Sequence, residues 1–271
     1  MILLVASTKD IASMNIAQKI IDNYRFKKTA EDFQRNPVYV RVLPKHEVKL
    51  VFVNKELIHT QFLTEFFAPK LLVFVSRHSS VSGIPTLSVH TPGNFGEAEV
   101  GGITRKISVS PASAMKEALL EMARQKEQLG LNYKVSYECT HHGPSLDVPT
   151  MFVELGSSPV QWKDLKAAEA VAHAAMAAAT RQSTYSTVLG VGGPHYNEKF
   201  TRMALTTKVA FGHIIPKYAI PKIDAEMIEQ CIRRTVEEVR VAVFDWKGMR
   251  GADKARLITI LSDMGVSVER A

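Results

Sequence analysis

Short apolar runs alternate with amphipathic stretches along most of the chain, and that alternation limits the folds open to it. A run of five or six apolar residues cannot cover its own faces. It needs strand neighbours, and helices laid over the resulting sheet. Residues 2–6 form the first such run, and residues 15–24 follow with Ile16, Ile20, Ile21 and Tyr24 at helical spacing. Residues 38–43 and 49–53 read as a strand pair, and 71–76 as a strand buried on both faces. Further strands are expected at 86–89, 135–139, 151–155, 187–191, 209–215, 239–244 and 266–268. Helices are expected from Ser110, as N-cap, with Pro111 at the first helical position, to Gly130, and over 162–181, 224–233 and 252–264. The reading is a layered α/β fold.

The 271 residues suit one large domain or two small ones, and residues 1–271 are read here as one. Thirty-four basic residues against 27 acidic ones leave a net charge of +7, which fits a polyanionic partner such as RNA. A mildly basic enzyme with no nucleic-acid partner would show the same balance. The two cysteines, Cys139 and Cys231, make no disulfide framework, so the expected compartment is the cytoplasm. No apolar run approaches the roughly 20 residues of a membrane span. Residues 90–106 lack periodicity and carry several glycines; long irregular loops in compact domains tend to be functional or mobile.

The nine histidines are informative through their placement. His78, His90, His141, His142, His195 and His213 all sit at or just beyond the far end of an expected strand, the edge where open α/β sheets bind ligands. Glu138 adjoins the histidine pair, and Glu154 ends the following strand. Imidazole with carboxylate is the ligand set of a catalytic zinc, which polarises a carbonyl and acidifies a water molecule. No HExxH-like signature is present, and one histidine after a strand is usually a surface residue; the convergence of six carries the argument. In extended backbone, adjacent residues point to opposite sides, so His141 and His142 are not expected to serve one ion equally. Cys139 reads as a buried structural thiol.

The turn Gly190-Val191-Gly192-Gly193-Pro194-His195 has neither the order of a dinucleotide fingerprint nor that of a Walker loop, so no dinucleotide is expected. Arg77, beside His78, reads as a clamp for phosphate or carboxylate. Lys199, Arg202 and Lys217, with Arg105, Lys106, Lys208 and Lys222, could line a track for single-stranded RNA together with Tyr196 and Tyr218. A scattered solvated face would look the same.

Several of these segments, taken together and in order, resemble the archaeal and plant-type D-aminoacyl-tRNA deacylases. They are Ser76-Arg77-His78-Ser79-Ser80, His90-Thr91-Pro92-Gly93-Asn94, Glu138-Cys139-Thr140-His141-His142-Gly143-Pro144, Phe152-Val153-Glu154-Leu155-Gly156-Ser157, Gly190 to Tyr196, Phe211-Gly212-His213 to Tyr218, and Asp245-Trp246-Lys247-Gly248. The resemblance runs over almost the whole chain. Pro194 stands where that family often has a glycine, and the segment after Lys45 departs from its pattern. The resemblance implies a zinc-dependent, monomeric hydrolase with two zinc ions per subunit. Its substrate would be D-aminoacyl-tRNA, and its task chiral proofreading. It also implies a three-layer α/β sandwich on a mixed, largely parallel sheet, of the phosphorylase/hydrolase-like kind.

The expected chemistry is ester hydrolysis. Metal is assigned to a subset of His90, His141, His142, Glu154, His195 and His213, with proton transfer by Glu138, His141 or His142. Arg77, His78, Lys199, Arg202 and Lys217 are assigned to the RNA end. Two rivals remain at this point: a zinc peptidase or amidohydrolase on the same scaffold, and a non-catalytic tRNA-binding module.

Overall fold

The computed structural model describes residues 1–271. The N-terminal half is built from β1 (Ile2–Ser7), α1 (Ile11–Tyr24), β2 (Lys27–Phe33), β3 (Asn36–Val42), β4 (Glu47–Val53), α2 (Leu63–Phe66), β5 (Leu71–Arg77) and β6 (Thr86–His90). Then come α3 (Ala112–Leu129), β7 (Lys134–Tyr137), β8 (Thr150–Gly156), α4 (Pro159–Trp162) and α5 (Leu165–Thr180). The chain ends with β9 (Ser186–Val191), α6 (Glu198–Thr206), β10 (Val209–Ile215), α7 (Ala225–Arg233), β11 (Val241–Phe244), α8 (Gly251–Asp263) and β12 (Ser267–Arg270).

Eight strands form one mixed sheet in the order β2-β3-β4-β1-β5-β8-β6-β7, and β10-β9-β11-β12 form a second, wholly parallel sheet. In the larger sheet the antiparallel pairs are β2/β3, β3/β4 and β6/β8. Side chains alternate across it, as a two-residue period requires. Leu4, Val73, Val153 and Leu87 face α1, α3 and α5 in the main core. Leu3, Phe74 and Phe152 face the other way, against Leu57, Leu63 and Leu146. The main core continues through Phe200 and Phe211 to one face of the smaller sheet, whose other face packs on α7 and α8. The expected α/β sandwich on a mixed, largely parallel sheet is what forms.

Three expectations give way locally. Ser110 does not cap α3: its hydroxyl accepts from Thr91 at 3.0 Å, and the Glu237 carboxylate takes the Ala112 and Ser113 N–H groups at 3.1 and 2.8 Å. The stretch 162–181 is broken, because the Asp164 carboxylate captures the Lys166 and Ala167 N–H groups and starts a new helix. β7 stops at Tyr137 because the next N–H groups turn elsewhere. Glu138 donates to the Val89 carbonyl, Cys139 to His195 and Thr140 to Ile214, so residues 138–140 stitch the two sheets together.

Candidate active site

The alternation within the large sheet puts polar side chains together on one face, at the carboxyl ends of β5 and β8 and along the antiparallel β6. Leu72, Phe74 and Phe152 bury the middle of that face; Ser76, Glu154, Ser88 and His90 finish it. The register sets Glu154 opposite Ser76 on β5 and Ser88 on β6. The Ser76 hydroxyl donates to Glu154 Oε1 at 2.6 Å. His90 stacks on Phe152, with centroids 5.1 Å apart and planes 5° from parallel.

The stitched segment 138–140 brings the next residues over this edge. His141 donates from Nδ1 to the Cys139 carbonyl at 2.8 Å, and His142 from Nδ1 to the Gly143 carbonyl at 2.7 Å. A carbonyl only accepts, so in both rings Nδ1 carries the proton and Nε2 keeps its lone pair. The backbone is not extended here. His142 has φ of 42°, a left-handed conformation that turns its ring back beside its neighbour. The two rings lie 4.3 Å apart and each faces His90, at 4.3 and 4.9 Å, so the adjacent pair does converge on one point. Gly143 is required beside them: a Cβ there would sit 2.2 Å from the Gly102 nitrogen.

A carboxylate cluster adjoins the imidazoles. Buried Glu138 accepts from His195 Nε2 at 2.8 Å through Oε2. Its Oε1 lies 3.2 Å from His78 Nδ1 without the alignment of a hydrogen bond. His78 Nδ1 is also 3.4 Å from Glu154, and its Nε2 meets the Tyr196 hydroxyl at 2.7 Å. Cys139 Sγ is 3.4 Å from both His195 Nδ1 and the Tyr218 hydroxyl. Sequence reading left Cys139 out; the spacing Cys139-Thr140-His141, next to Glu138, was the available signal.

Proton affinities follow this crowding. Burial, with His90 and His142 alongside, holds His141 well below the ordinary imidazole value. Burial and then His90 lower His142 to about 4. Both rings are therefore neutral near pH 7, the form that offers a lone pair. Burial pushes the Glu138 carboxyl up, but His78 and His195 outweigh it and hold it below the carboxylate range. Glu154 is lowered likewise, burial losing to His78 and His90. Burial would lower His195, yet Cys139 and Glu138 raise it to about 10.

His78, His90, His141, His142, His195, Glu138 and Glu154 thus come together. His213 does not join them. It is fully buried, with Nδ1 3.0 Å from the Thr140 hydroxyl and Nε2 donating to the Arg234 carbonyl at 3.1 Å, so both nitrogens are used inside the fold. Arg77 pairs with Glu56 at 3.1 Å and lies over the Trp162 ring. Lys199 is taken up by Asp245, while Arg202 and Lys217 are exposed. Arg105 and Lys106 are engaged by Asp224, Glu226 and Asp147, so three of the seven basic residues are paired within the protein, and Arg202, Lys208, Lys217 and Lys222 are not.

The site has the donors of a metal centre. His90, His141 and His142 can offer nitrogens to one point, and so can Cys139, His141 and His195; His78, Glu138 and Glu154 form a third group. His90 is 1% exposed, and neither of its ring nitrogens has a hydrogen-bond partner. Burying two such atoms unpaired costs free energy that metal coordination would recover.

Comparison with known proteins places the chain in a family. The D-aminoacyl-tRNA deacylase family model matches residues 65–269. The chain is 37% identical over 270 residues to a D-aminoacyl-tRNA deacylase of Pyrococcus furiosus, covering 97% of each chain. It is 39% identical over 276 residues to one from Thermococcus kodakarensis, covering 98% of each. A crystal structure of a conserved protein of unknown function superposes with a TM-score of 0.90 at 29% identity, covering 100% of this chain and 95% of that one.

Proposed function

The chain belongs to the D-aminoacyl-tRNA deacylase family and hydrolyses the ester bond of D-aminoacyl-tRNA; from that premise we propose that it does so with zinc at the histidine–carboxylate cluster. One observation carries the zinc: buried His90, with both ring nitrogens unbonded, beside two histidines whose Nδ1 protons are committed to backbone carbonyls. Backbone acceptors that orient a ring and free its Nε2 are the usual support of a ligating imidazole. Mixed imidazole and carboxylate donors suit zinc among the divalent ions.

His90, His141 and His142 would hold one ion. His78, Glu138 and Glu154 share no residue with that set and would hold a second. Bound zinc supplies polarisation of the ester carbonyl and a water molecule of lowered pKa. The protein's own residues handle the proton. His195 is partly exposed and held protonated by Glu138 and Cys139, so it gives its proton to the departing ribose oxygen and is reprotonated by the proton that the attacking water releases. The new bond is water oxygen to carbonyl carbon, the broken one carbonyl carbon to ribose oxygen, and the products are free D-amino acid and tRNA.

We further propose that residues 1–271 act as one domain and as a monomer, proofreading chirality in the cytoplasm. Two unpaired cysteines support the compartment, and no helix is long and apolar enough to cross a membrane.

Purified protein should contain zinc, lose ester cleavage on chelation and regain it with zinc. Full activity in metal-free protein would leave a histidine acid–base mechanism in its place. Matched D- and L-aminoacyl-tRNA should release the D-amino acid far faster; equal release would remove the chiral role. Cleavage of small peptides without RNA would favour the peptidase reading.

A further inference from the structure

Two clefts flank the histidines, and they differ in charge. The first, of about 380 Å³, is lined by His141 and His142 together with Phe95, Glu97, Glu99 and Lys222. The second, of about 660 Å³, is lined by His195, Lys217, Met249 and Arg250, with Asp245 and Asp253. Tyr218 borders both; it is 62% exposed, and its hydroxyl lies 3.4 Å from Cys139 Sγ. His141 faces one cleft and His195 the other, although their ring centroids are only 4.3 Å apart. An ester held at that wall would have one cleft on each side of it.

The fold leaves charges uncommitted on each side. Glu99 forms no ion pair, and Glu97 accepts only from the Thr104 hydroxyl, at 3.1 Å. Lys217, Arg250 and Asp253 form no ion pair, nor does Lys222 in the first cleft, while Asp245 is bound by Lys199; the unpaired charges leave an acidic excess in the first cleft and a basic one in the second. The acid-bearing loop is fixed relative to the histidines. Gly143 donates to the Val100 carbonyl at 2.9 Å, and Gly93 to the His142 carbonyl at 2.7 Å. These bonds hold the backbone that carries the exposed Glu97 and Glu99 beside the histidines.

We propose that these clefts divide the substrate. The first takes the amino acid, with its α-ammonium on Glu97 and Glu99. The second takes the terminal nucleotide, with its phosphate on Lys217 and Arg250 and its base against Tyr218. The assignment rests on the deacylase reading and goes beyond it by naming what recognises each half. An ammonium seeks carboxylate, a phosphate seeks exposed Lys and Arg, and a base stacks on an exposed aromatic ring. The arrangement also bears on chirality. With carbonyl and ammonium both held, inversion at the α-carbon exchanges only hydrogen and side chain. Loosening the ammonium should therefore erode the D-over-L preference.

The test uses the full chain and small esters: D-aminoacyl-AMP esterified on the ribose, its N-acetyl derivative, and the D-aminoacyl-adenosine that lacks the 5′-phosphate. In the unmodified protein, acetylation and phosphate removal should each lower kcat/KM by about tenfold or more, the weight of one charge-assisted contact. E97Q with E99Q should abolish the acetylation effect, keep the phosphate effect and shrink the D/L ratio. K217Q with R250Q should abolish the phosphate effect and keep the acetylation effect. All four positions are on the surface, and melting curves matching the parent exclude unfolding. The inference is overturned if the two double variants exchange their effects, or if neither alters its own discrimination. If the unmodified protein cleaves none of the D-esters but cleaves peptides, the deacylase reading falls first and the inference with it.

Discussion

The molecule buries charge in two regions, and they are finished differently. Between α3 and α5, every charged group has its partners. Lys116, 1% exposed, donates to the Thr207 and Val209 carbonyls at 2.6 and 2.8 Å. Glu117 accepts from Tyr185 at 2.7 Å, and Glu121 from Arg181 and Gln125 at 2.6 and 2.8 Å. At the sheet edge, by contrast, His90, Ser88 and one oxygen of Glu138 have no hydrogen-bond partner. A closed polar network holds elements together. An open one stores binding capacity for something the chain does not itself contain.

Three substitutions can break or sharpen that contrast. The largest effect is expected from H141A, which removes a nitrogen from the open cluster. Ester cleavage should fall by about 10³-fold with little change in melting temperature; an active variant would mean that the cluster is not the reactive one. Next, K116M should strand two carbonyls in the closed network and cost about 1–3 kcal/mol in denaturant unfolding, with kcat nearly unchanged. A fall in kcat at unaltered stability would erase the distinction between the regions.

The third is a pH effect. Burial pushes the Glu121 carboxyl up, but Arg124, Gln125 and Arg181 outweigh it and lower the carboxyl from 4.5 to about 2. A carboxyl depressed on folding stabilises the native state above its unfolded value. That contribution should disappear as pH falls from about 4.5 to about 2. Unfolding free energies across that range should drop less steeply in E121Q than in the parent. Equal slopes would show that the pairing makes no contribution to acid stability.

Much of the scaffold was legible because burial leaves a periodic trace. β1, β5, β8 and α3 are continuous or striped apolar runs, and they form near where the pattern puts them. β2 was missed because its sequence, KKTAEDF, belongs to a largely exposed edge strand with no apolar alternation. α6 was missed because its nine residues give little more than two turns, with Phe200 and Ala204 one short repeat of the helical spacing. Five of the six strand-end histidines converge, although β6 runs antiparallel to β8: His90 ends β6 opposite Phe152, and residues 138–140, bonded to both sheets, carry His141 and His142 beside it. The sixth, His213, lies in β10 of the smaller sheet and is spent on internal hydrogen bonds. From sequence it looked no different from the other five.

The sequence by itself determined the layered α/β plan and the edge where reactive side chains gather, because strand alternation and helical spacing are local properties of the chain. Only the tertiary structure decided which atoms meet there. The left-handed turn at His142, the stitching of residues 138–140 to both sheets, and the paired or unpaired state of each lysine and glutamate depend on contacts between segments far apart in sequence. No local pattern encodes such contacts, since the free energy of a buried polar atom is set by whatever the fold brings within about 3 Å of it.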